Sequence, residues 1–216
     1  MEKTWVPCHW RVQLTQSSFH LVCTCFHGTC LSTTPVLFTT LSMHLKMSRA
    51  HFLIQRIIRE AEGYLELGMT QHALNALQRR GKFVHGNARA CYLMGEALRE
   101  LGHFREALFP LERSAELTPD DIHVWLAIGW CYKRTGQLDH AIEALEKALA
   151  VDGSEAILHY NLACYWSLSH DRSLAIGYLS QALDIDGNFR DLVLDEPDFL
   201  TLHQDPVFKL IAGIIS

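Results

Sequence analysis

The amino-acid sequence predicts an all-α protein, an array of about four helix hairpins closed by a C-terminal capping helix. Two observations predict this fold class. From residue 54 onwards the chain repeats every 34 residues, a length that suits two helices of ordinary size and two short connections. Within each repeat, apolar residues recur at helical spacing in two sets, and a turn residue separates the sets. The most regular copy of the repeat runs from Ile122 to Glu155.

Four columns of residues keep this register through all four units. A glycine or alanine lies in the first helix and an alanine in the second, where two helices of a hairpin must approach closely. A large apolar residue follows each small one by three or four positions. The columns are Ala61, Gly95, Gly129 and Ala163; Ala73, Ala107, Ala141 and Ala175; Tyr64, Leu98, Tyr132 and Trp166; and Leu77, Leu111, Leu145 and Leu179. Because one hairpin cannot bury its apolar face alone, we expect neighbouring units to stack.

Glycines are predicted to end the first helix of three units. Gly68, Gly102 and Gly136 follow the first set of apolar residues, where a residue without a Cβ atom can adopt the left-handed conformation of a helix C-cap. Within the most regular unit, Trp125 belongs to the first set of helically spaced apolar residues and is predicted to be a core residue. Trp130 lies outside the columns and is predicted to face a partner.

The central unit resembles the tetratricopeptide repeat. Its motif is W-x2-IG-x2-Y followed by A-x3-L-x2-A, formed by Trp125, Ile128, Gly129, Tyr132, Ala141, Leu145 and Ala148. The second and fourth units keep most of these positions, whereas Glu60 and Arg80 depart from the pattern in the first. The resemblance implies a right-handed superhelical array. Its units are expected near residues 54–87, 88–121, 122–155 and 156–188, within a repeat domain of residues 47–188.

Residues 189–216 lie outside the repeat and are predicted to cap it. The pattern D-F-x-x-L…D-P-x-F is similar to the tail of bacterial tetratricopeptide repeat proteins. Asp205 and Pro206 suit the start of a helix. The apolar side chains expected to cover the face left bare by the last hairpin are those of Phe199, Leu202, Phe208, Leu210 and Ile211.

Residues 1–46 differ in composition from the rest of the chain. They are rich in Thr, Ser, Cys and His, and no helical or alternating period extends over more than a few residues. We therefore predict that this leader is disordered or is a wrongly assigned start, with Met47 or Met43 as the true first residue. Zinc binding is the weaker alternative, because structural zinc sites pair two short knuckles across a longer loop. The candidate ligands are Cys23, Cys25, His27 and Cys30, with Cys8 and His9 as a second pair.

Composition, charge and the absence of motifs disfavour several classes of function. The formal net charge is -5 and no basic patch occurs, which disfavours nucleic-acid binding. No apolar stretch is long enough for a membrane span, and the seven cysteines form no disulfide framework, so the sequence predicts a cytoplasmic protein in a reducing compartment. No phosphate-binding loop and no nucleophile–base set is present. The sequence therefore predicts neither an enzyme nor a bound cofactor or metal.

The resemblance implies a protein–protein adaptor. In this family the first helices line an inner, concave face that binds an extended peptide or a partner helix. Carried over by repeat position, the predicted groove residues are Arg89, Tyr92, Glu96, Arg99, His123, Leu126, Trp130, Lys133, Arg134, Ile157, Tyr160, Cys164 and Ser167. The alternative is a self-associating structural subunit of a larger complex, with the apolar tail that begins at Ile211 as its contact surface.

Overall fold

The computed structural model describes the backbone of residues 10–15, 18–23, 35–79 and 81–213. Side chains are described from residue 49 onwards, apart from Arg80, Lys82 and residues 214–216. The chain divides into two units, Met1–Arg49 and Ala50–Ser216. Within the described residues, no helix has both the length and the apolar content needed to cross a lipid bilayer.

The first unit contains regular structure that the sequence analysis did not predict. Strands β1 (Trp10–Thr15) and β2 (Ser18–Cys23) pair as an antiparallel hairpin, and helix α1 (Pro35–Glu66) begins well before Met47. These stretches have regular secondary structure, and the expectation of a disordered leader or a wrongly assigned start stays a prediction. Apolar and polar residues do alternate along β1, a strand signal that the sequence analysis did not use, whereas the consecutive apolar residues 21–23 break the alternation in β2.

The second unit is an all-α stack of four helix hairpins. Helix α1 is followed by α2 and by the short α3, and three regular hairpins come after them. Their bounds are α2 (Thr70–Gln78), α3 (Gly81–Val84), α4 (Ala88–Glu100), α5 (Phe104–Leu117), α6 (Ile122–Arg134), α7 (Leu138–Val151), α8 (Ala156–Leu168) and α9 (Arg172–Ile185). Helices α4, α6 and α8 begin 34 residues apart. Each regular hairpin packs on the next through its second helix, α5 against α6 and α7 against α8.

The predicted close approach of the two helices is present in the second and third hairpins. A Cβ atom on Gly95 would lie 2.4 Å from Cγ of Leu111, and one on Gly129 would lie 3.2 Å from the carbonyl oxygen of Ala141. The alanines of both small-residue columns have no exposed surface. Small residues are therefore required because the facing helix leaves no room for a larger side chain.

The glycines between the helices have the predicted left-handed conformation. Gly68, Gly102 and Gly136 have φ values of 68°, 81° and 77°. In the fourth hairpin His170 occupies the equivalent position with φ of 62°. A side chain with a Cβ atom is strained in this region by about 1–2 kcal/mol, so the stacked neighbours must hold this turn in place.

The C-terminal segment, residues 187–213, folds back onto the fourth hairpin. Its elements are a 3-10 helix at Gly187–Phe189, α10 (Arg190–Val193), a 3-10 helix at Pro197–Leu202 and α11 (Pro206–Ala212). Phe199, Phe208 and Leu202 are buried as predicted, and Ile211 is half-buried. Leu210 is 78% exposed and does not belong to the cap's core, because it points away from the face of α11 that carries Phe208.

The start of α11 is fixed by Asp205. Its carboxylate accepts hydrogen bonds from the backbone N–H groups of Val207 and Phe208, and it also pairs with Arg172 on α9. The hydrogen bond from Arg172 and those from the backbone lower the pKa of Asp205 to about 2, although burial acts in the opposite direction. The predicted helix start at Asp205 and Pro206 is therefore confirmed, and it ties α11 to the last repeat.

Candidate binding groove

Four side chains from three helices form an aromatic and cationic group on the open part of the predicted groove face. Trp130 of α6 meets Phe104 of α5 edge to face, with ring centroids 5.1 Å apart. The guanidinium carbons of Arg99 and Arg134 lie 5.0 and 5.4 Å from the Trp130 ring centroid. Arg134 also lies 5.0 Å from the centroid of Phe104. We call Arg99, Phe104, Trp130 and Arg134 the Trp130 cluster. The sequence analysis missed Phe104, because it belongs to a second helix and the groove was predicted from the first helices alone.

The two arginines of the Trp130 cluster differ in their polar contacts. Nε and Nη2 of Arg99 donate to the two carboxylate oxygens of Glu96, at 2.9 and 2.6 Å. This hydrogen bonding with Glu96 raises the pKa of Arg99 further above its ordinary value. Arg134 is exposed, and among the described residues it has no acidic partner within ion-pair distance. Its guanidinium is therefore oriented by two rings but keeps its charge unpaired.

A second, smaller group lies towards the start of α4. The guanidinium of Arg89 lies 5.5 Å from the ring centroid of Tyr92 and pairs with Glu62 of α1 at 2.8 Å. Tyr92 is half-buried, and burial raises the pKa of its hydroxyl above the ordinary value. The predicted groove residues Arg89 and Tyr92 therefore do lie side by side, on the surface of the first two hairpins.

The groove residues predicted on α8 do not line an open surface. Tyr160 is 5% exposed and Cys164 is 2% exposed. Phe189 and Phe199 of the C-terminal segment cover Tyr160, with ring centroids 4.9 and 5.8 Å away. Tyr160 and Cys164 are covered because the 3-10 helix at Pro197–Leu202 packs on α8, and their contact with a partner stays a prediction.

Lys133 and Ser167 are also engaged by the C-terminal segment. The ammonium group of Lys133 pairs with the carboxylate of Asp198, and the hydroxyl of Ser167 donates to the backbone carbonyl of Asp198 at 2.7 Å. Lys133 lies 5.7 Å from the ring centroid of Tyr165. Asp198 was not predicted as part of this face, because it lies outside the repeat register and no column of the sequence marks it.

Trp125 is not the buried core residue that the motif predicted. Its ring is half-buried, its Nε1 donates to the backbone carbonyl of Pro119 at 2.8 Å, and Lys147 of α7 lies 5.1 Å from the ring centroid. The fully buried residues of α6 are smaller, for example Val124 and Cys131. Trp125 and Trp130 are therefore similarly buried side chains with different neighbours.

The other predicted groove residues border these groups. His123 is exposed at the start of α6, Leu126 is half-buried one turn later, and Ile157 is 36% exposed at the start of α8. The open part of the predicted face is therefore formed by α4 and α6, and the part on α8 is largely covered.

Among the residues whose side chains are described, one group has atoms that could ligate a metal. Sγ of Cys164 and the carboxylates of Glu196 and Asp198 lie within 4.8 Å of one another. Lys133 already neutralises Asp198, and burial raises the pKa of the Cys164 thiol far above its usual range, which disfavours the thiolate that a metal requires. This arrangement is typical of a structural contact. The side chains of the predicted zinc ligands in residues 8–30 lie outside the described residues.

Comparisons with solved structures place this architecture in a known fold. A crystal structure of MamA superposes with a TM-score of 0.60 at 20% sequence identity, covering 64% of this chain and 81% of that chain. MamA from Desulfovibrio magneticus RS-1, residues 41 to the end, gives a TM-score of 0.59 at 20% identity and covers 74% of this chain and 98% of that chain. YrrB gives 0.58 at 22% identity, covering 69% and 83%. At these identities the likeness concerns the fold.

The family comparison concerns the two central hairpins. No curated protein matches the chain. The predicted similarity of the C-terminal D-F-x-x-L…D-P-x-F pattern to the tails of bacterial repeat proteins stays a prediction. Residues 88–121 and 122–155 each match the family model described as tetratricopeptide repeat. These two hairpins are therefore tetratricopeptide repeats, and the chain that carries them has the fold of a tetratricopeptide repeat protein.

Proposed function

We propose that this chain is a non-catalytic adaptor that holds a partner peptide or helix on the face formed by α4 and α6. The observation that carries the proposal is the Trp130 cluster, an aromatic and cationic group of half-buried and exposed side chains on α4, α5 and α6. Tetratricopeptide repeat proteins are interaction scaffolds, and YrrB is described as having an unusual peptide-binding site. The cytoplasmic location stays a prediction from the cysteine content.

The physical chemistry of this face suits recognition without chemical reaction. Large rings flanked by arginine are the side chains most often responsible for binding energy at protein interfaces. Phe104 and the two arginines hold the Trp130 ring in place before a partner arrives, so little conformational entropy is lost on binding. The stacked hairpins supply a rigid support, because each shares its core with the next.

The C-terminal segment limits the length of the open face. Phe199 and Asp198 occupy the surface of α8 that would extend the groove into the fourth hairpin. A partner is therefore expected to contact Tyr92 and Trp130 and to stop short of Tyr160. The proposal differs here from the groove predicted by repeat position alone, which included the whole length of α8.

The binding test compares two tryptophans on the same helix. Linear peptides selected from a phage-displayed random library on the full chain should bind Trp130→Ala at least about tenfold more weakly than wild type. Trp125→Ala is the matched control, since it removes the same ring at similar burial. Its affinity should stay within about twofold of wild type. Fluorescence anisotropy well below both melting temperatures provides the measurement, and equal losses for the two variants would refute this binding face.

Self-association is a second candidate function, favoured by the outer surface of the C-terminal segment. Several of its large apolar side chains are exposed, namely Leu192, Leu194, Leu200, Val207 and Leu210. Exposed apolar side chains clustered in one segment are typical of contact surfaces. If they join two copies, light scattering should show a dimer in wild type and a monomer in Leu210→Glu. A monomeric wild type at all concentrations would exclude this function.

A further inference from the structure

We propose that the segment bound by the α4 and α6 face is acidic, and that a carboxylate of the partner binds Arg134. This inference rests on the proposed adaptor function and specifies the chemistry of the partner. Three observations support it: the unpaired charge of Arg134, the orientation that its two aromatic neighbours impose, and an acidic residue of the chain itself bound to the adjacent Lys133.

Arg134 is the cation of this face whose charge remains unpaired among the described residues. Arg89 pairs with Glu62, Arg99 with Glu96 and Lys133 with Asp198.. The chain as a whole carries a formal net charge of -5, so the Trp130 cluster is a local positive site on an acidic protein. A bound carboxylate would complete the pattern in which every other basic residue of this face has an acidic partner.

Stacking prepares Arg134 for such a ligand. Its guanidinium lies 5.0 Å from the Phe104 centroid and 5.4 Å from the Trp130 centroid, so the rings hold the planar group in place. A guanidinium stacked in this way keeps N–H groups along its edge that can bind a carboxylate in bidentate geometry. Less side-chain entropy is lost on binding than for a free arginine, which favours affinity.

The C-terminal segment provides an example of the same chemistry on this protein. Asp198 pairs with Lys133, and the next residue, Phe199, inserts fully buried beside Tyr160. An acidic residue followed by an aromatic one is therefore already accommodated on the neighbouring part of the first-helix face. The partner is expected to repeat this combination at Arg134 and Trp130, with a carboxylate next to a large apolar side chain.

The experiment measures charge preference separately from binding. Peptides selected on the full chain from a phage-displayed random library are synthesised in two forms. One has the selected sequence, and the other has every Asp replaced by Asn and every Glu by Gln. The selected peptides should be enriched in acidic residues, and the neutral forms should bind about tenfold more weakly. Raising the ionic strength should weaken the binding of the acidic peptides more than the binding of the neutral peptides.

Two variants assign the effect to Arg134. Arg134→Gln should bind the acidic peptides about tenfold more weakly and lose the difference between acidic and neutral forms. Arg59→Gln is the control, because it removes an equal, exposed charge from α1 at a repeat position equivalent to Leu93 and Ala127. The Arg59→Gln variant should still bind the acidic peptides more tightly than their neutral forms.

The outcomes separate this inference from the proposed function. Peptides that depend on Trp130 but bind equally in acidic and neutral forms would overturn the acidic partner and leave the adaptor function standing. The same conclusion would follow if Arg134→Gln kept the preference for acidic peptides. Failure to select any peptide that depends on Trp130 would overturn the binding face itself, and the acidic partner with it.

Discussion

Phe199→Ala should lower the free energy of unfolding by about 3–5 kcal/mol, the range for truncating a large aromatic side chain in a packed core. Phe199 has no exposed surface. Its ring lies 5.6 Å from that of Phe208 and 5.8 Å from that of Tyr160, measured between centroids. The phenylalanine thus joins the C-terminal segment to α8. Its removal leaves a cavity that the short 3-10 helix around it cannot close without losing these contacts.

The neighbouring residue supplies a matched control. Leu200 is 65% exposed in the same 3-10 helix, so Leu200→Ala should change the stability by less than about 0.5 kcal/mol. Chemical denaturation would compare the two variants. Hydrogen exchange should then locate the loss of protection in residues 187–213 and on α8. Equal effects of the two substitutions would show that the segment is only loosely attached.

The same variant tests the boundary of the binding face. Detaching the segment in Phe199→Ala would uncover Tyr160 and release Lys133 from Asp198. Peptides that bind the α4 and α6 face should still bind this variant, because among the described residues the aromatic, cation–π and hydrogen-bond contacts of the Trp130 cluster involve α4, α5 and α6 and not the segment. Hydrogen exchange with bound peptide would show whether protection then extends onto α8.

Gly95→Ala should destabilise the protein by about 1–3 kcal/mol, although alanine is the better helix former. The added Cβ atom would lie 2.4 and 2.5 Å from Cγ and Cδ2 of Leu111. Leu111 is fully buried on α5, so it can move only by pushing the two helices of the hairpin apart. The steric cost therefore exceeds the gain in helix propensity, which is about 1 kcal/mol.

Gly177→Ala is the matched control, and its effect should have the opposite sign. Gly177 also lies inside a helix, α9, but it is exposed and a Cβ atom there would meet nothing within 4 Å. Without a clash, the substitution should stabilise the protein by about 0.4–1 kcal/mol. Thermal unfolding of the two variants would measure the difference. A stabilising Gly95→Ala would show that the helices of the second hairpin do not meet as described.

The repeat architecture could be predicted from sequence because its causes are local and periodic. The small residues at Gly95 and Gly129 and the turn glycines at Gly102 and Gly136 each mark a place where a Cβ atom would clash or strain the backbone. The 34-residue step repeats these marks, so the helices and their pairing follow from the columns. Two short strands were missed: the alternation in β1 was not used as a strand signal, and in β2 it is broken by three consecutive apolar residues.

The extent of the open part of the predicted groove face was decided by tertiary structure. Repeat position correctly places Trp130, Arg99 and Arg134 on the first helices, but it cannot show that Phe104 joins them from α5. Nor can it show that the C-terminal segment covers Tyr160 and Cys164, since that segment lies outside the repeat. Periodic sequence determines how a hairpin packs on its neighbour, whereas contacts between distant parts of the chain leave no period in the sequence.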